Sequence, residues 1–181
     1  MNQNVEHMFK YRTLKKNMDL VIKYFESGTR PEVTMPEKAI YEALKEEGVR
    51  KLVGDHYACL RQSSIAHLFP EDNDAFDMVT KHSADFFIQI MGGPAYFNMN
   101  RGNPMLIKRH APFAVTPEAR VVWLECYQNV LLSLEIDEKL TMSFWNYVNV
   151  FSHWMINSNS EAAKPETKNE NPVTFRLSRN N

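Results

Sequence analysis

His110 closes the segment "MLIKRHAPFAV" (105–115), which lies between two patches of glycine and proline. Pro112 disfavours the helical conformation at Ala111, so a short helix opening at Pro104 must stop near His110. An imidazole at a helix end has two uses. Its charged form sits well against the negative end of the helix dipole. Its neutral form can donate a lone pair to a metal or a haem iron, leaving the opposite axial position open unless a second histidine closes it.

Other chemistries have no support in the sequence. There is no Gly-rich phosphate loop, nucleophile elbow, CxxC or HExxH, and none of the six histidines follows a glutamate by three positions, as di-iron helical bundles require. Cys59 and Cys126 are too few and too far apart for a disulfide framework or a zinc site. Their apolar neighbours predict buried free thiols in a reducing compartment.

The elements that must position His110 follow from proline and glycine. Proline is absent from 37–69, 71–93 and 118–164, which leaves room for long helices, whereas three of six glycines and four of nine prolines fall between Gly92 and Pro117. That stretch is irregular, with at most one short helix inside it. Val49, Val53, Tyr57 and Leu60 make an apolar stripe in the first interval, which ends at "HLFPED". A second helix starts near Asp72 or Asp74 and runs to Met91, with Phe76, Val79, Ser83, Phe86 or Phe87 and Ile90 inward. A third begins at "TPEAR", with Thr116 as cap and Pro117 at the first helical position, and its stripe is Trp123, Tyr127, Val130 and Leu134. The fourth carries Leu140, Phe144, Tyr147, Val148, Phe151 and Met155.

No segment alternates as a strand, so the class is all-α. The spacing also predicts a helix around 5–27 within an N-terminal extension of 1–36, a central domain over 37–157, and a polar tail over 158–181 with little to bury.

The chain has 181 residues, 21 basic and 22 acidic, for a net charge of −1. That balance offers no footprint for nucleic acid and no drive toward an anionic membrane. The opening "MNQNVEHMFKYR" lacks a signal-like apolar stretch and no run approaches membrane-spanning length, so a cytoplasmic location is expected.

Taken jointly, "GGPAYFNMNRGNPMLIKRHAPF", Trp123 thirteen residues after His110, the preceding Tyr57 and "LFPED" resemble a truncated haemoglobin of group II. The match is close from Gln89 to Cys126 and moderate from Leu52 to Asp72. It is looser between 73 and 88, with extra residues in "DNDAFD". Residues 1–36 and 158–181 have no counterpart in the minimal family core.

The resemblance implies a two-over-two helical sandwich enclosing haem b (iron protoporphyrin IX), with His110 as proximal iron ligand. It implies Tyr57 and Trp123 as the polar pair on the ligand side, and Phe69 packed against the haem. Val79 and Ser83 fall where the distal helix faces the ligand. Ser83 departs from the bulky apolar residue usual there, and can widen the pocket or add a hydrogen bond. Arg109 and His82 are candidates to meet the propionates, although exposed surface is the plainer reading of both. By helical count His82 lies one residue off the pocket stripe, and His56 and Cys59 point away from that of Tyr57.

Tyr57 can donate or accept, whereas Trp123 can only donate. Both favour a ligand whose outer atom carries partial negative charge. A pocket with two donors suits binding of O2, NO or CO and redox chemistry on the bound ligand, such as nitric oxide oxidation or peroxide reduction. The sequence has no flavin or nicotinamide site, so turnover needs an external reductase. The rival readings are a gas sensor or oxygen store acting through the terminal extensions, and a helical interaction domain without haem.

Overall fold

The computed structural model describes residues 18–159. Among these the protein is all-helical, with six α-helices and no strand: α1 (Ala39–Arg61), α2 (Asn73–Ile90), α3 (Tyr96–Arg101), α4 (Leu106–His110), α5 (Pro117–Leu131) and α6 (Glu138–Phe151). Short 3-10 turns follow α1 at Ala66–Leu68 and α6 at Ser152–Met155.

The helix starts obey local chemistry. The Asp72 carboxylate accepts from the Ala75 amide at the head of α2, and the Thr116 hydroxyl accepts from the Ala119 amide at the head of α5, with Pro117 in the first turn. Glycine is required where the chain leaves α2. Gly92 has φ +102°, and a Cβ on Gly93 would lie 2.5 Å from the Tyr41 ring. α1 is broken at Lys45, whose φ of 57° and ψ of 179° lie outside helical space.

The core is built from α1, α2, α5 and α6. Leu52, Val53, Phe87, Leu124, Tyr127, Phe144, Trp145 and Val148 are buried together. Phe144 packs edge-on against Phe87 and Tyr127, at 5.3 and 5.4 Å between ring centroids. Buried Asp85 of α2 takes hydrogen bonds from Arg50 of α1 at 2.9 Å and Lys81 at 3.1 Å. Burial pushes its carboxyl pKa up, but these two cations outweigh that and hold it below the ordinary value.

Three expectations are corrected. The helix around 5–27 does not form over 18–27; residues 5–17 lie outside the described residues, as do 160–181 of the tail. Instead, residues 18–36 run as an irregular strap over α5, α6 and the last 3-10 turn. Core side chains satisfy the strap's backbone: Gln128 and Asn149 donate to the carbonyls of Leu20 and Val21 at 2.6 and 2.7 Å, and Arg120 donates to that of Lys23 at 2.9 Å. Trp154 donates to the Pro31 carbonyl at 3.1 Å. Those bonds replace the ones a helix would have made internally.

The irregular stretch holds two short helices, α3 and α4, where one was expected. α4 opens at Leu106 and not at Pro104, because Met105 takes a left-handed conformation with φ 39°. Cys59 and Cys126 are not free thiols. They are joined as a disulfide, with Cα atoms 5.7 Å apart across 67 residues of sequence. Distance along the chain misled, because α1 and α5 pack side by side at this point.

Candidate haem pocket

A cavity of about 910 Å³ opens between α1, α2, α4, α5 and α6. Tyr57, Phe69, Val79, Ser83, Arg109, His110 and Trp123 all line it. The fold therefore brings these seven candidate site residues to one cavity.

His110 enters from the last turn of α4. Its Nδ1 lies 2.8 Å from the Leu106 carbonyl one turn back. A carbonyl can only accept, so Nδ1 carries the hydrogen and the Nε2 lone pair is left for a ligand. The same bond fixes the ring's orientation, as second-shell carbonyls do for metal-binding histidines.

Tyr57 reaches the cavity from α1, eight residues on from Val49. Its ring packs edge-on against Phe69 at 5.7 Å and Phe76 at 5.8 Å. Burial raises the phenol pKa, offset in part by the nearby Ser83 side chain. The hydroxyl therefore stays protonated near neutrality and available as a donor.

Trp123 is set by its neighbours on α5 and α1. Its indole packs edge-on against His56 at 5.0 Å and Tyr127 at 4.7 Å. His56 is fully buried, stacks on Tyr127 at 3.5 Å and lies 3.0 Å from the Trp123 carbonyl through Nε2. Burial pushes the His56 imidazole down to about 3, so it stays neutral. As expected it packs and does not face the cavity. The Cys59–Cys126 bridge lies just beyond, two residues after Tyr57 and three after Trp123.

His82 and Arg109 correct the plainer reading, since both are half-buried in the cavity wall. The Arg109 guanidinium donates to the carbonyls of Pro104 at 2.8 Å and Arg101 at 3.0 Å. Exposed Arg101 lies 3.1 Å from the His82 ring. Burial, and then the Arg101 charge, lower the His82 pKa.

Sequence reasoning missed Arg101, and it read Tyr147, Val148, Phe151 and Met155 of the fourth helix only as core, although they also line the cavity. An apolar stripe carries no mark that separates a cofactor wall from packing.

These residues fit a flat, largely apolar macrocycle with acidic arms. Phe86, Phe97, Leu106 and Phe151 give apolar walls, Arg101, Arg109 and His82 give cationic groups, and His110 offers one free imidazole nitrogen. Among the described residues no three His, Cys, Asp or Glu side chains gather to hold a bare ion.

The sequence profile of the Bacterial-like globin family matches residues 39–157. The chain belongs to this family. The globin is 36% identical over 88 residues to two-on-two hemoglobin-3 of Arabidopsis thaliana, an alignment covering 48% of this chain and 47% of the plant protein. The match thus spans about half the length of that relative. It is 27% identical over 120 residues to group 2 truncated hemoglobin YjbI of Bacillus subtilis (strain 168), covering 66% and 89% of the two chains. Among solved structures it superposes on phosphate-bound Hell's gate globin IV with a TM-score of 0.71 and 34% identity, covering 78% of this globin and 88% of the other. The group II truncated hemoglobin of Bacillus anthracis, at 24% identity and TM-score 0.62 over 66% and 96% of the chains, shares the fold.

The fold is that of a truncated globin, as expected, and membership supports haem-based binding of small diatomic ligands. Among the described residues no helix is long and apolar enough to cross a membrane.

Proposed function

We propose that this globin binds haem b through His110 Nε2, takes O2, NO or CO on the side of Tyr57 and Trp123, and carries out redox chemistry on the bound ligand. The observation that carries this reading is the convergence of His110, Tyr57, Ser83 and Trp123 on one apolar cavity, with the His110 lone pair left free by the Leu106 carbonyl.

Each side chain then has a task. His110 holds and orients the group, and Arg109, Arg101 and His82 meet its acidic arms. Phe69 and Val79 exclude water from the interior. Tyr57 donates from a hydroxyl kept protonated by burial, with Ser83 nearby. Trp123 is the second donor, and His56 and Tyr127 fix its ring. When bound, the haem supplies the iron that takes the diatomic ligand and the electron chemistry for nitric oxide oxidation or peroxide reduction. Electrons come from an external reductase, and the working location is the cytoplasm.

Visible spectra of the purified protein, ferric and then ferrous with and without CO, test the haem. A protein without a Soret band would sink the whole reading. Catalytic consumption of nitric oxide or peroxide with a chemical reductant tests the redox part, and stoichiometric binding without turnover would reduce it to ligand binding. A sensor reading draws on the strap, which Arg120 of α5 ties down at Lys23. Ligand-dependent hydrogen exchange within residues 18–36 would favour it.

A further inference from the structure

A second cavity, of about 410 Å³, lies between the strap, the outer side of α4 and the last 3-10 turn. Phe25, Ile107, Trp154 and Ile156 give it apolar sides, and Arg120 and His153 reach its wall. None of the larger cavity's pocket residues from α1 or α2 takes part. Arg30 also lines it, and among its lining residues there is no aspartate or glutamate.

Arg120 is the unusual member. It is only 4% exposed. Its acceptors among the described residues are all uncharged: Ser152 Oγ at 3.0 Å from Nε, and from Nη2 the Lys23 carbonyl at 2.9 Å, the Asn149 carbonyl at 2.5 Å and Asn149 Oδ1 at 3.1 Å. Nη1 donates to none of the described residues. A buried guanidinium is normally matched by an anion, because an uncompensated charge in a low-dielectric interior is costly. Arg120 borders both cavities. The larger one has its own cations in Arg101 and Arg109, which leaves the smaller one for Arg120.

We propose that the second cavity binds a small organic carboxylate, its charged end on Arg120 and its apolar body against Phe25, Trp154 and Ile156. The lining argues for such a molecule over a bare oxoanion, because Phe25, Ile107, Trp154 and Ile156 put apolar surface in the same cavity as Arg120. Bound there, it lies behind the helix that carries His110, in contact with Ile107 and Ala111.

Calorimetric titration of the purified full chain with hexanoate and with benzoate tests this, with inorganic phosphate as the contrasting probe. Saturable binding of either organic acid is expected, with phosphate far weaker. Arg120→Lys loses the planar fork that grips a carboxylate, so affinity falls about tenfold or more. Because Arg120 also holds the strap, Ser27→Trp is the second variant: it fills the cavity from an exposed turn and should abolish binding while the visible spectrum stays unchanged. No saturable heat with either acid overturns the proposal. So does equal binding of phosphate, or binding that survives Ser27→Trp, which would place the anion in the larger cavity.

Discussion

Ser83 of α2 lines the cavity together with Tyr57 of α1, close enough for its side chain to offset part of the rise that burial gives the phenol pKa. A hydroxyl has one hydrogen to give. If Tyr57 gives its own to the ligand, Ser83 can pair with it only by donating to the phenolic oxygen, which polarises it. Tyr57→Phe then speeds oxygen release by roughly ten- to a hundredfold, since a hydrogen bond to a charged group contributes about 1.5–3 kcal/mol. Ser83→Ala speeds it by only about two- to fivefold, and has no further effect in the Tyr57→Phe background. Stopped-flow release in the four proteins checks this. An undiminished Ser83 effect without the Tyr57 hydroxyl refutes the coupling.

His110→Ala removes the imidazole whose Nδ1 the Leu106 carbonyl holds and whose Nε2 is left free. Haem is then retained poorly, and added imidazole partly restores the spectrum. An unchanged histidine-ligated spectrum in the variant would end the assignment.

His56 makes stability depend on pH. Its imidazole is pushed down to about 3 by burial, against an ordinary value of 6.5. Above 6.5 neither the folded nor the unfolded chain binds the proton, and the full stability is present. As pH falls from there toward 3 only the unfolded chain binds it, so stability is lost at up to about 1.4 kcal/mol per pH unit. His56→Phe keeps the ring on Tyr127 and removes the titration. Its thermal midpoint should fall less steeply than wild type between about pH 7 and about pH 5. Parallel slopes would show that His56 is not the titrating group.

The Cys59–Cys126 bridge closes 67 residues of chain. Loop-closure entropy assigns such a bridge about 4 kcal/mol at most, and measured bridges typically give 2–4. A reductant should lower the thermal midpoint by several degrees in wild type and leave a Cys59→Ala, Cys126→Ala variant unmoved. Equal response in both would mean that the bridge contributes nothing.

Tyr127 buries a hydroxyl that has no hydrogen-bond partner among the described residues. An unsatisfied buried group costs about 1–3 kcal/mol, so Tyr127→Phe should leave the melting temperature unchanged or raise it. A fall of several degrees would reveal a partner for the oxygen.

Much of this was legible in the sequence because the signals were local. Asp72, Thr116 and Pro117 fixed the starts of α2 and α5, and Gly92 and Gly93 the end of α2, each by backbone chemistry within a few residues. The cavity lining was legible where the family resemblance singled residues out, as for His110, Tyr57 and Trp123. It was hidden on α6, where Tyr147 and Phe151 look like any core stripe. The strap and the bridge were illegible for a different reason. Both depend on partners more than fifty residues away, and neither Gln128 opposite Leu20 nor Cys126 opposite Cys59 is foreshadowed by its own neighbours.

The strap bonds also bear on how freely this segment can change. Gln128, Asn149, Arg120 and Trp154 all grip backbone carbonyls, and Asn149 Oδ1 accepts the Lys23 amide, so outside the buried Met18 and Leu20 the attachment reads where the strap's peptide groups lie more than what side chains they carry. Exposed strap positions such as Val21, Lys23 and Tyr24 can therefore drift in identity without loosening the attachment, with proline at position 23 the clear exception because it removes the amide. Such a segment is a ready place to graft a foreign sequence onto the globin.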